Sequence, residues 1–447
     1  MNDPFRQWAV PGFVGLCLLL GGASAAGYLV NAMLQLLAIG LLLVVWSRFP
    51  GQRKSRSEKY LLVLVAAMLG VIVLQFIPIP LDLWSSLPGR SEISETLQAV
   101  GIELESGFVS IMPHESLKSA IWLLPPLAVL VAMMRMRGLV SEFQLALVII
   151  VVTCAGVIFG ALQLVGGDQS PFYFYSFTNR GQAVGLFSNA NHMASLLLIS
   201  IPFQAVLLRQ ALTLAKESRL PALIAISAAF AITLAGIAAN GSLAGYGLLL
   251  PVLFASALIV WEKERKLRLL ALLLIPAVLG GIALVLLNDD AQVLLNRGSS
   301  MRDGDREVIF ATSFEAIRQY WPLGSGIGTF SEVYPLFENP QEVTNHFANH
   351  AHNDYLEIVL ETGIAGLVLL VAFLGWWTVA ALNIWRQSTS SYYARAASIA
   401  SAAVLVHSIV DYPLRTAAIA TVFAVCCVQM AGSAIRPGVS PAGARSA

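Results

Sequence analysis

Charge is what this sequence has least of. Only 12% of its 447 residues are Asp, Glu, Lys or Arg, and 57% are hydrophobic. A soluble domain carries about 25% charged residues, so an ordinary water-soluble fold is excluded. Cysteine is scarce too. Cys17, Cys154, Cys426 and Cys427 all fall in apolar stretches, and two of them are adjacent. Neither a disulfide framework nor a Cys-based metal site is expected; packing as small apolar side chains accounts for all four. Segments of alternating polarity are missing, which leaves out a barrel. No repeat of fixed period relates the two halves of the chain, which counts against a transporter built from two similar bundles.

What is present is a succession of apolar blocks of about 17–25 residues, long enough to cross a hydrocarbon core of about 30 Å as helices. The fold class expected is all-α and polytopic, a single integral membrane domain over 1–447 with about twelve spans. They fall near 8–28, 30–47, 60–77, 117–134, 144–165, 184–208, 221–239, 243–261, 269–287, 356–384, 396–411 and 416–434. The first is read as an uncleaved helix, because its leading residues carry one Arg and one Asp and make a poor basic signal. The basic connections 48–59, 135–140 and 209–219, EKERKLR (262–268) and the segment with Arg386 and Arg395 place those loops in the cytoplasm, with both termini. The opposite face then receives a smaller loop, 78–116, and a large one, 288–355, between spans nine and ten. It also receives most of the histidines, so the functional face is expected to be extracytoplasmic.

Chemistry-bearing residues gather around that large loop. Arg297, Arg302, Arg306 and Arg318 lie in it without a lysine. An arginine fork grips phosphate oxygens bidentately, so a lipid-linked phosphate or diphosphate is one reading; ordinary pairing with Asp303, Asp305, Glu307 and Glu315 is the other. TSFEAIRQYW (312–321) puts Phe314, Ile317 and Trp321 on one face of a short helix, either lying against the membrane or bundle or an ordinary surface helix, and WPLGSGIGTF (321–330) follows as a turn-rich approach.

Next comes HFANHAHNDYLEIVLETGIAG (346–366). Its His346, His350 and His352 admit three readings: a zinc site, a polar cap at a helix entrance, or a metal-free site where His352 handles a proton. No second His or Cys cluster supports the metal. Asp354, Glu357 and Glu361 share one helical face, where they would orient a histidine or bind sugar hydroxyls. Asn189, Asn191 and His192 open span six in GLFSNANHMASLL, preceded by FYFYSFTNRGQ with Arg180. HSIVDYPLR (407–415) adds His407 and Asp411 as a possible polar pair.

These pieces resemble the O-antigen ligase and Wzy-type polymerase family of GT-C-like membrane glycosyltransferases. The ligase motif is His, then Asn, Ser or Gln, nine residues, Gly, two residues, and Gly, Thr or Tyr. His352, Asn353, Gly363 and Gly366 fill it. DREVIFATSFEAIRQYWPLGSGIGTF (305–330) is similar to the family's preceding segment, with Arg306 in place, and GLFSNANHMASLL resembles its Gly-Phe-Asn-Asn helix opening. The likeness covers roughly residues 180–415. A departure is GSLAG (241–245), with Leu243 where many members carry Arg; either Arg180 supplies the replacement charge or the donor is held differently.

The resemblance implies a multi-pass protein of the bacterial inner membrane whose active site faces the periplasm. It implies an inverting, metal-independent, cofactor-free transfer of an undecaprenyl-diphosphate-linked glycan to an acceptor hydroxyl on lipid A core, an exopolysaccharide or an O-antigen repeat. Arg306 and His352 would be catalytic. Arg180, Arg302, Arg318, His350, Asn353, Asp354, Glu357, Glu361, Asn189, Asn191 and His192 would bind diphosphate or glycan. The expected partners are the lipid-linked donor, the acceptor, the bilayer and other polysaccharide-assembly membrane proteins, with no nucleic acid. A polysaccharide transporter or flippase is the alternative.

Overall fold

A computed structural model describes the backbone of residues 4–24, 27–261, 303–341 and 348–432, and side chains from 7 and 306 onward in the first and third of these. The expected span at 269–287, and Arg297, Arg302 and His346, lie outside the described residues. The helices are α1 (Pro4–Leu20), α2 (Tyr28–Arg48), α3 (Arg56–Leu74), α4 (Leu81–Ser85), α5 (Ser91–Ala99), α6 (Pro113–Trp122), α7 (Leu124–Arg135), α8 (Glu142–Gly166), α9 (Ala190–Ala211), α10 (Lys216–Asn240) and α11 (Leu243–Val260). They continue with α12 (Asp303–Tyr320), α13 (Phe330–Val333), α14 (Asp354–Arg386), α15 (Tyr392–His407) and α16 (Ala417–Gly432).

Each expected span among the described residues overlaps a helix, or, for 117–134, the pair α6 and α7, though α1 ends at Leu20 where the span was expected to reach 28. Eight described helical segments are long and apolar enough to cross a membrane, with α6 and α7 counted as one; α1 and α16 are shorter apolar helices. The chain is thus a mostly helical, multi-pass membrane protein. The span expected over 184–208 starts late, at Ala190, because Asn189 takes an extended conformation and its side chain accepts from Asn191 N as the helix cap.

α9 is the best-buried of the long spans and packs against α8, α10, α11 and α15. α15 is built for close approach: Ala394, Ala396, Ala397, Ser398, Ala400, Ser401 and Ala403 are all buried. In lipid, association is driven by packing, and such small residues let backbones come together. This layer brings the C-terminal end of α15 beside the N-terminal end of α9.

The two connections expected as loops carry structure of their own. Within 78–116, β1 (Pro78–Pro80) pairs antiparallel with β2 (Ser106–Phe108), Pro78 opposite Phe108, and α4 and α5 lie between them. The described part of the second loop holds α12 and α13. There the expected face divides, with Ile317 packed partly buried on a second small core. Phe314 and Trp321 are 51% and 39% exposed, whereas Ile309, Ala316 and Tyr320 are buried. The reason is that second core, in which those three meet Phe330, Val333, Tyr334 and Leu360.

The glycine-rich run ties this subdomain to the bundle. α14 breaks at Gly363, whose φ of 57° and ψ of −140° are not helical. The break lets the run cross: Ile364 N donates to Pro322 O (2.9 Å), Ser325 N to Leu360 O (2.9 Å) and Gly326 N to Glu361 O (2.9 Å). A Cβ on Gly363 would run into the Pro322 carbonyl, so only glycine fits. The fully buried Arg90 clamps the other side, donating to Val109 O (2.7 Å) and Gly324 O (2.6 Å).

Candidate active site

The site forms where three chain segments end together: the start of α14, the start of α9 and the turn after α15. His352 sits just before the N-cap of α14 with φ of +50°, a left-handed conformation that costs an L-residue about 1–2 kcal/mol. Both flanks fix it there. Ala351 N donates to Glu357 Oε2 at 2.9 Å, and Asn353 Oδ1 accepts from Tyr355 N and Leu356 N at 3.0 and 3.1 Å.

The His352 ring is buried, with Nδ1 3.2 Å from Asp411 Oδ1. A carboxylate only accepts, so Nδ1 carries the hydrogen and Nε2 is left as the ring's acceptor. The other oxygen, Asp411 Oδ2, lies 3.6 Å from Nε2 of His192, both side chains fully buried. Tyr412, the next residue, puts its ring against three imidazoles, with centroids 5.0 Å from His192, 4.4 Å from His350 and 4.8 Å from His352. Burial first, and then the Asp411 carboxylate, hold its hydroxyl well above the usual phenol range. It stays a donor, to Asn349 Oδ1 at 3.3 Å.

His407 and Asp411 do not pair through their side chains as the i,i+4 spacing suggested. His407 Nδ1 instead meets Ser195 Oγ at 2.8 Å. His407 Nε2, both nitrogens of His192, Asp411 Oδ2 and Arg306 Nε are buried without hydrogen-bond partners. Native folds leave few such atoms, and a group of them calls for a polar partner, whether water, an ion or a ligand. Arg306, near the start of α12, lies within electrostatic range of His407.

A second cluster lies behind the first. Asp354, Glu357 and Glu361 are buried on one face of α14 and converge on Arg415, which none of the sequence-level site assignments included. Its Nη1 reaches Glu361 Oε2 at 3.1 Å, its Nη2 Glu357 Oε1 at 3.4 Å and its Nε Asp354 Oδ1 at 3.5 Å. Burial works against its charge, but the three carboxylates overcome this and hold its ionisation above the ordinary guanidinium value. Each carboxylate has a further partner. Ser408 Oγ donates to Asp354 at 2.7 Å, Gly328 N to Glu361 at 2.8 Å, and His350 Nδ1 lies 2.8 Å from Glu357.

His350 and His352 therefore turn to different carboxylates. Among the described residues no three His, Cys, Asp or Glu side chains are grouped to hold a metal ion.

The other expected residues fall as follows. Asn191 accepts from Ser242 Oγ at 2.7 Å, which brings the GSLAG segment, with half-buried Leu243, beside the start of α9. Arg180 is exposed; it donates to Asp168 O at 2.7 Å and lies over the Tyr173 ring. Arg318 is exposed on α12. Tyr412, Arg415 and Ser195 were missed. A signal existed for Arg415: three carboxylates on one helical face, at the lip of a span, require a cation from elsewhere.

Residues 228–371 match the Wzy_C family model, described as O-Antigen ligase. The matched stretch contains Arg306, His350, His352 and the three α14 carboxylates, and ends before His407, Asp411 and Arg415. No curated protein matches the chain.

Proposed function

Starting from membership of the O-antigen ligase family, carried by residues 228–371, we propose that this protein transfers a glycan from a lipid diphosphate to an acceptor hydroxyl. The acceptor is the lipid A core, an exopolysaccharide or a further O-antigen repeat, and the reaction takes place on the periplasmic face of the inner membrane. The observation that carries the reading is the buried His352–Asp411 pair, 3.2 Å apart, with the cation of Arg306 within electrostatic range of His407, one helical turn before Asp411.

In the reaction, the acceptor oxygen attacks the anomeric carbon as the bond from that carbon to the diphosphate oxygen breaks. His352 Nε2 takes the hydroxyl proton, and Asp411 stabilises the imidazolium that forms. Negative charge builds on the departing diphosphate, where Arg306 opposes it most strongly in the transition state. Attack from the face opposite the leaving group inverts the anomeric centre, and no step requires a metal ion. Asn189 and Asn191, half-buried at the head of α9, are placed to meet sugar hydroxyls, whereas His192 beside them is fully buried.

The test is purified protein in proteoliposomes with a defined lipid-diphosphate glycan, with and without a lipid A core acceptor. Transfer to the core identifies a ligase, and elongation of the lipid-linked glycan alone identifies a polymerase. Neither product, with donor intact, would overturn the proposal.

A further inference from the structure

We propose that His407 binds the diphosphate of the lipid-linked donor through its Nε2–H, held as a donor by Ser195 and acting beside Arg306. This rests on the transfer reading above and names a ligand for a residue outside the matched family segment.

The tautomer follows from counting hydrogens. Ser195 Oγ is 2.8 Å from His407 Nδ1. Two other buried helical serines, Ser200 and Ser401, give their hydroxyl hydrogen to a backbone carbonyl, to Leu197 O at 2.8 Å and Ala397 O at 2.7 Å. Ser195 has no such bond, so its hydrogen goes to Nδ1, which leaves the hydrogen of the neutral ring on Nε2.

That Nε2–H is buried without an acceptor, and so is Arg306 Nε. The two groups are within electrostatic range of each other. Both are donors, and one belongs to a full positive charge. What satisfies them together is an anion bearing several acceptor oxygens, which is what a diphosphate offers. The nearby carboxylate is committed through one oxygen only: Asp411 Oδ1 is on His352, while Oδ2 lies 3.6 Å from His192 Nε2 with no hydrogen bond. The site thus divides, with His352 and Asp411 serving the proton and His407 and Arg306 serving the leaving group.

The experiment is calorimetric titration of the full-length protein in nanodiscs with farnesyl diphosphate, a short soluble analogue of the donor, and with farnesol as control. Wild type should bind the diphosphate and not the alcohol. His407→Gln, which keeps an N–H near the Nε2 position, should bind within about threefold of wild type. His407→Leu should bind about tenfold or more weakly, the cost of one hydrogen bond to a charged group. Should His407→Leu not fold, Ser195→Ala carries the test with an expected loss of several-fold, since it frees the tautomer without altering the ring.

Unchanged affinity in the Leu variant, or in Ser195→Ala when the Leu variant does not fold, or equal losses in Gln and Leu, would overturn the proposal while leaving the transfer reading intact. A wild type that binds no diphosphate would overturn both.

Discussion

Asp411 Oδ1 lies 3.2 Å from His352 Nδ1, a bond that joins the turn after α15 to the residue just before the N-cap of α14. The two are 59 positions apart in sequence, and nothing local brings them together. It takes the small-residue packing of α15 on α9 to put that turn beside the start of α14. The bond fixes the tautomer of His352, and so decides which ring nitrogen meets the substrate.

Asp411→Asn tests this directly. An amide in place of the carboxylate does not stabilise an imidazolium and offers either a donor or an acceptor to Nδ1. Transfer is expected to fall by about 10²–10⁴-fold in kcat, the usual weight of positioned acid–base catalysis, with the donor KM little changed. Steady-state kinetics on the purified variant read both.

Arg415→Gln should act on stability first. It leaves Asp354, Glu357 and Glu361 buried without their cation, which costs about 3–5 kcal/mol when one partner of a buried ion pair is removed. A lower thermal midpoint in detergent is the expected result. In the wild type, the pKa of Arg415 is raised on folding. Its contribution is therefore fully present below the ordinary value and is lost only as pH rises through the folded one. Stability between pH 6 and 9 should show no alkaline loss from this group.

Much of this architecture was legible in the sequence. Apolar block length located the helices, since a bilayer tolerates little else. The spacing from His352 to Gly366 singled out the segment at the candidate site, and a second core buries Ile309, Ala316 and Tyr320 of α12. The three α14 carboxylates called for a cation, but that it is Arg415, and that Tyr412 packs on three imidazoles, was not legible, because HSIVDYPLR reads as the tail of a span until its tertiary neighbours are known. Likewise the Ser195–His407 bond depends on the depth at which two helices cross, which periodicity does not encode.

Gly363→Ala should destabilise the protein. The position needs φ of 57°, a strain of about 1–3 kcal/mol for other residues, and its added methyl meets the Pro322 carbonyl. Thermal unfolding is the readout, and activity should fall with it because the 324–328 run holds Glu361 in place.

The arginines should separate by position. Arg180 and Arg318 are exposed, so replacing either with Ala is expected to leave donor KM within about threefold, as for solvent-screened charges. Donor titrations in kinetic assays decide this.

Because His350 and His352 diverge to Glu357 and Asp411, the proposed chemistry uses side chains alone. Transfer measured in excess EDTA should proceed at the untreated rate, and abolition reversed by added zinc would contradict that.

The most direct measurement of the central claim is glycan transfer from a defined lipid-diphosphate donor by purified wild type, His352→Ala and Arg306→Ala. The account predicts loss of at least about a hundredfold in both variants, with the folded state retained. Full activity in both would contradict it.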